Sequence, residues 1–162
     1  MEAERLVAAG RQALAGSGTA QDIVAEAWQA QALAQAIGSH LALCGPLELR
    51  GEARGLSEIG EYPTWGAGGP RAAQLTEVGD PVAALKALGA LLGEVGIALV
   101  GVACATDEEA LYWQCIEAID AVDESNDRVG GMLRRLAVRD GRERARPPDS
   151  ARGRAGPAPG AA

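Results

Sequence analysis

Residues 106–136, TDEEALYWQCIEAIDAVDESNDRVGGMLRRL, place Tyr112, Cys115, Ile119, Val122, Asn126, Val129, Leu133 and Leu136 at alternating spacings of three and four. Positions so spaced gather on one narrow face of a helix, the seam by which helices join in a bundle or coiled coil. Thr106 and Glu109 have capping-box spacing. Asp107 and Glu108 suit the positive end of a helix, and Arg134 and Arg135 the negative end. The pattern predicts a helix over 106–136 whose apolar edge other helices must cover.

What those helices can be follows from the absence of bulk. The chain has no Phe and only 3% aromatic residues, yet 48% of it is apolar. A core made of Leu, Ile, Val and much Ala cannot fill wide gaps, so its elements must lie close together. Helices allow this, and Ala is the best helix former. No stretch sustains the two-residue alternation of a half-buried strand.

From the start, residues 2–15 predict a first helix, closed by Gly16-Ser17-Gly18. Thr19 with Asp22 opens a second, in which Ile23, Ala27, Ala30, Ala34, Ile37, Leu41 and Cys44 form an Ala-rich seam ended by Gly45-Pro46. A shorter amphipathic helix over 46–59 would share Leu49, Ala53, Leu56 and Ile59 on one face. Residues 60–70, GEYPTWGAGGP, have the chemistry of a loop, and 71–78 could add one or two helical turns. Asp80-Pro81 is an N-cap followed by proline at the first helical position. The helix over 82–105 carries Leu85, Leu88, Leu92, Val95, Leu99 and Val102. After Glu94 it is apolar on every side, which predicts a place in the middle of the fold. Gly89, Gly93 and Gly96 form a groove along it, expected to face the Ala seam of the second helix.

The expected architecture is all-α: an antiparallel bundle of four principal helices plus a short one over 1–136, with 82–105 central. The last 26 residues hold six Arg, four Pro and almost no large apolar side chain, and predict a disordered tail over 137–162. Three carboxylates in that tail leave it at +3, so residues 1–136 carry −10 of the chain's net −7.

Candidate functional residues are few. Glu117, Asp120, Glu124 and Asp127 form an acidic row beside the seam, expected to be a solvated face. A docking surface for something basic is the sharper alternative, and a hard-cation site the remotest. Trp28 and Trp113 lie off the seams, as lids on the bundle or as interface anchors. His40 stands alone, without a nucleophile or second histidine in its pattern, and is read as an ordinary helix-edge residue. Asn126 in the seam either fixes register or marks where the seam meets water. Cys44, Cys104 and Cys115, with no metal-ligand spacing, are expected to be small buried apolar residues of a reducing compartment. With no signal-peptide pattern at the start, the cytoplasm is the expected location. Lys86 and Glu94 argue against a membrane span over 82–105. GAGGP (66–70) lacks the residues of a phosphate loop, and the basic tail lacks the aromatics that would favour nucleic acid.

The segments AEAWQAQALAQAIGSHLA (25–42) and ELRGEARGLSEIG (48–60) resemble small uncharacterised helical proteins of high-GC actinobacteria. That resemblance implies a helical fold and a cytoplasmic setting, and it brings no catalytic, metal or cofactor residues. The resulting expectation is a non-enzymatic interaction or scaffold protein that binds no cofactor, with a homodimer through surplus seam near 126–136 or another protein partner. The alternative is a small-ligand or metal-binding bundle using His40, Trp28 and the acidic row.

Overall fold

The computed structural model describes residues 1–59 and 68–146. Five α-helices carry the fold: α1 (Ala3–Ala15), α2 (Ala20–Cys44), α3 (Arg50–Ser57), α4 (Pro81–Ala105) and α5 (Glu109–Ala145). Single 3-10 turns stand at Leu47–Leu49 and Arg71–Gln74. The protein is all-α; among the described residues the sole extended pairing is an isolated bridge between Glu2 and Glu77. The expected loop at 60–70 falls mostly outside the described residues.

Local chemistry sets the starts. Thr19 Oγ1 accepts the Asp22 N–H at 3.1 Å, and Asp80 Oδ1 accepts from Val82 at 3.0 Å and Ala83 at 3.2 Å, ahead of Pro81. Each satisfies donors that the first helical turn leaves over. The start of α5 differs from the expected capping box. Thr106 Oγ1 accepts the Glu108 N–H at 3.1 Å and belongs to the turn after α4, so the helix begins at Glu109. At its other end α5 continues past Leu136 to Ala145, nine residues into the expected tail. Arg139 and Glu143 pair one turn apart there, and Arg142 and Arg144 complement the negative helix end. Residues 147–162 of the expected disordered tail lie outside the described residues.

The buried row of α5 is Leu111, Cys115, Ala118, Val122, Ser125, Val129, Met132 and Leu136. It shares every second member with the expected seam and shifts the others back by one. Tyr112 and Asn126 face solvent; Ile119 and Leu133 are half-buried. Periodicity alone favours the bulkier side chain at each step, whereas the packed face uses Ala118 and Ser125, whose small side chains let α5 lie close to its neighbours. Gly89 lies opposite Val129 and Gly96 opposite Val122, so α4 and α5 run antiparallel along each other after the short turn at 106–108.

The middle of the molecule belongs to α2 and not to α4. α2 touches α1, α3, α4 and α5 and buries a run from Ala30 to Ala34 on all sides. α4 buries every residue of its expected seam but leaves Ile97 77% exposed and Val100 half in solvent. It is apolar all round and yet has an outer face, because α2 already occupies the one central position. Its glycines do not meet the Ala seam: Gly89 and Gly96 face α5, and Gly93 opens onto empty space. The close helix approach is made elsewhere. A Cβ on Gly38 of α2 would stand 2.9 Å from both the Ala53 carbonyl oxygen and the Ser57 nitrogen of α3.

Candidate interaction surface

The side chains singled out from the sequence separate into three places. Trp28 is half-buried against the core, and His40 is half-buried on the same helix, α2. Glu117, Asp120, Glu124 and Asp127 are exposed on α5. The residues proposed as a ligand site therefore stay apart: twelve residues of helix separate Trp28 from His40, about 18 Å at 1.5 Å per residue. Among the described residues no three His, Cys, Asp or Glu side chains converge where they could hold a metal ion. Two of the cysteines expected inside are outside: Cys44 and Cys104 are exposed, and Cys115 alone is buried, where desolvation pushes its thiol pKa up.

Polar groups tie the body together. Gln31 and Ser125, both fully buried, join α2 to α5, and Gln31 Nε2 also donates to the Ile59 carbonyl at 3.1 Å. Gln35 donates to the same carbonyl. Gln29 receives the Arg71 N–H at 2.9 Å, while the Arg71 guanidinium pairs with Glu26 and fastens the second 3-10 turn to α2. Arg11 of α1 holds Glu94 of α4 through two-pronged contacts at 3.0 and 2.5 Å. The hydrogen bond from Arg11 keeps the Glu94 carboxyl below its usual range. Glu94, which the sequence reading weighed only as a charge in an apolar helix, thus has a structural partner.

Among the described residues, exposed large apolar side chains stand at Leu43 and Leu47 where α2 gives way to the first 3-10 turn, and along α4 and α5. Trp113 is 56% exposed, with Tyr112 edge-on to it at 5.3 Å between ring centres. A shallow groove of about 340 Å³ runs between the two helices, floored by Gly93 and Gly96, walled by Ile97, Val100 and Ile119, and rimmed by Asp123 and Asn126. On the other flank of α5, Arg134, Arg135, Arg139 and Arg142 stand over Glu48 and Glu52 around a second groove of about 690 Å³. The ion pairs across it are long, 3.6 Å for Arg135–Glu52 and 3.8 Å for Arg139–Glu48. The apolar groove was hidden from sequence reasoning because Ile97 and Val100 look like core in an all-apolar helix. The signal that could have found it is excess: α4 has more apolar faces than neighbours to cover them.

Fold and surface together define a small all-α protein with a filled core and an uncovered apolar edge beside charged rows. Residues 1–135 match the model of a family of unknown function, DUF6099, and the chain belongs to that family. The match ends at the last buried residue of α5, near Leu136, and leaves out the exposed basic end of the helix. No curated protein and no solved structure matches.

Proposed function

We propose that this chain is a non-enzymatic interaction protein, an antiparallel bundle of four principal helices braced by α3, which docks an amphipathic helix of a protein partner along the α4–α5 edge. The exposed apolar groove carries the reading. Ile97 and Val100 stand in solvent beside glycines that would let a second backbone come close, which is the form of helix-in-groove recognition. The carboxylate of Asp123 on the rim favours a basic flank on that helix and opposes an anionic lipid surface. α4 is long and apolar enough to cross a membrane, and only a third of its most apolar window is buried. Lys86 and Glu94, with Glu94 held by Arg11, favour the water-facing reading.

The test uses a model amphipathic helix of leucine and lysine, titrated against the full chain and followed by Trp fluorescence. Binding that Ile97→Lys with Val100→Lys abolishes, at an unchanged circular dichroism spectrum, is the expected result. Binding indifferent to that pair of substitutions, or none at all, rejects the groove.

A further inference from the structure

The outward side of α5 carries a pattern that neither the core nor the α4 groove uses. Glu117, Asp120, Glu124 and Asp127 follow one another every three or four residues opposite the buried row, and all four are exposed. The same spacing continues through Gly131 into Arg134, Val138 and Arg142, so one face of one helix is acidic in its first half and basic in its second.

Most of these charges have no ion-pair partner among the described residues. Among the described residues the acidic row forms one ion pair, Glu124–Arg128 at 3.9 Å, and Arg134 and Arg142 form none. Long apolar contacts flank both ends, with Trp113 one turn before Glu117 and Val138 55% exposed among the arginines.

A helix laid parallel on this face would set like charges together. One laid antiparallel, crossing at Gly131, would set the acidic half against the basic half, Asp120 against Arg142 and Asp127 against Arg135. Glu124 would then lie beside Val138, and Arg134 beside Arg128. Asp120 and Arg142 lie equally far from Gly131 on either side, and so do Asp127 and Arg135. Gly130 and Gly131, both only partly covered, sit at the crossover of sign. The long Arg134 side chain lies over them, 3.4 and 3.8 Å from where a Cβ would stand, and once it swings aside the glycines let two helix backbones meet.

We propose that a second copy of this chain docks here, α5 against α5 in antiparallel sense, crossing at Gly131 about a two-fold axis. The axis makes each contact twice: the carboxylates of Asp120 and Asp127 in one copy face the guanidinium groups of Arg142 and Arg135 in the other. A polyanion such as nucleic acid would suit the basic half alone and be repelled by the acidic half and by a body of −10. A simple basic peptide would suit the acidic half alone. The inference rests on the reading of the chain as an interaction protein and names one partner for it.

Two variants of the full chain test it by sedimentation velocity: Asp120→Arg with Asp127→Arg, and Arg135→Glu with Arg142→Glu. The wild type is expected to be a dimer at low ionic strength and to dissociate as salt is raised. Each variant alone is expected to be monomeric with an unchanged circular dichroism spectrum. Their equimolar mixture is expected to form a heterodimer, because reversal of one half in one copy complements reversal of the other half in its partner. A monomeric wild type, a dimer in either variant, or a mixture that stays monomeric overturns the proposal. Oligonucleotide binding lost in the Arg135/Arg142 variant without any self-association overturns it in favour of a phosphate ligand. If dimerisation fails while the model helix still binds the α4 groove, this inference falls and the reading of the chain as an interaction protein stands.

Discussion

Gln31 of α2 and Ser125 of α5 hold each other by two hydrogen bonds in a site closed to water. Gln31 Nε2 donates to Ser125 Oγ at 2.8 Å, and Ser125 Oγ lies 3.0 Å from Gln31 Oε1 as donor. In an apolar interior such a pair costs little while complete and a good deal when halved. Ser125→Ala leaves the Gln31 carbonyl oxygen without a donor, and urea unfolding should show a loss of about 1–3 kcal/mol. Gln31→Leu combined with Ser125→Ala removes both polar groups at similar volume, and should recover most of that loss. The Ile59 carbonyl keeps its bond from Gln35 in the double variant. A double variant as unstable as the sum of the two singles would show that the pair is not what joins these helices.

The same two residues show what was legible in the sequence. Helix existence, the Thr19 and Asp80 caps, the α2 seam from Ala27 to Leu41 (its ends differ, Ile23 being half-buried and Cys44 exposed), the buried face of α3 and the apolar row of α4 follow from local periodicity and capping chemistry. Which residue of α5 lies innermost did not follow, because a small polar Ser125 buries as well as Asn126 only where Gln31 waits across the interface. The exposed edge of α4 was equally illegible: periodicity tells which faces of a helix are apolar, and only the arrangement of neighbours tells which of them are covered. The acidic row and the arginines of α5 were each visible, but their alignment on one face needed the helix to run unbroken to Ala145.

Glycine positions give a paired test of the packing. A Cβ at Gly38 would press on the backbone of α3 at 2.9 Å, and backbone yields less readily than a side-chain tip. Gly38→Ala should cost about 1–3 kcal/mol as an overpacking penalty. Gly93 has nothing within 4 Å of the same position. Gly93→Ala should therefore gain up to about 1 kcal/mol from helix propensity. Equal effects at the two sites would contradict the closeness of α2 to α3.

The Arg11–Glu94 contact predicts a direction with pH. Hydrogen bonding to Arg11 lowers the Glu94 pKa, so the folded state binds its proton more weakly than the unfolded chain. The stabilisation is fully present above the unfolded glutamate value of about 4.3 and is lost as pH falls through the lowered folded value. Wild type should melt higher than Glu94→Gln at neutral pH, with the gap closing in acid. Because both side chains are largely in water, high salt should narrow the gap as well. A gap that widens in acid would mean that the contact does not act through the ionised carboxylate.

Cysteine accessibility reports on the α4–α5 pairing without altering it. Cys44 and Cys104 are exposed, whereas Cys115 of α5 is buried, with its thiol pKa raised by that burial. A thiol-specific reagent at mildly alkaline pH should modify the first two quickly and Cys115 only at the rate at which the helices part. Three equally fast thiols would show that α5 is not seated as described.

Truncation after Leu136 separates what folds the protein from what the end of α5 does. Leu136 is the last buried residue of the helix, and from Ala137 to Arg146 every described residue is exposed except Arg139, which is half-covered and 3.8 Å from Glu48. Removing surface of that kind should change the stability of a single copy by no more than about 0.5 kcal/mol. The dimer, if α5 forms it, loses Arg142 and with it half of its charge pairs. Wild-type melting temperature should then rise with protein concentration, since association stabilises the folded state by mass action, while that of the truncated chain should not. At the lowest concentrations the two should coincide. A truncated chain that melts lower at every concentration would instead place the end of α5 among the elements that hold the fold together.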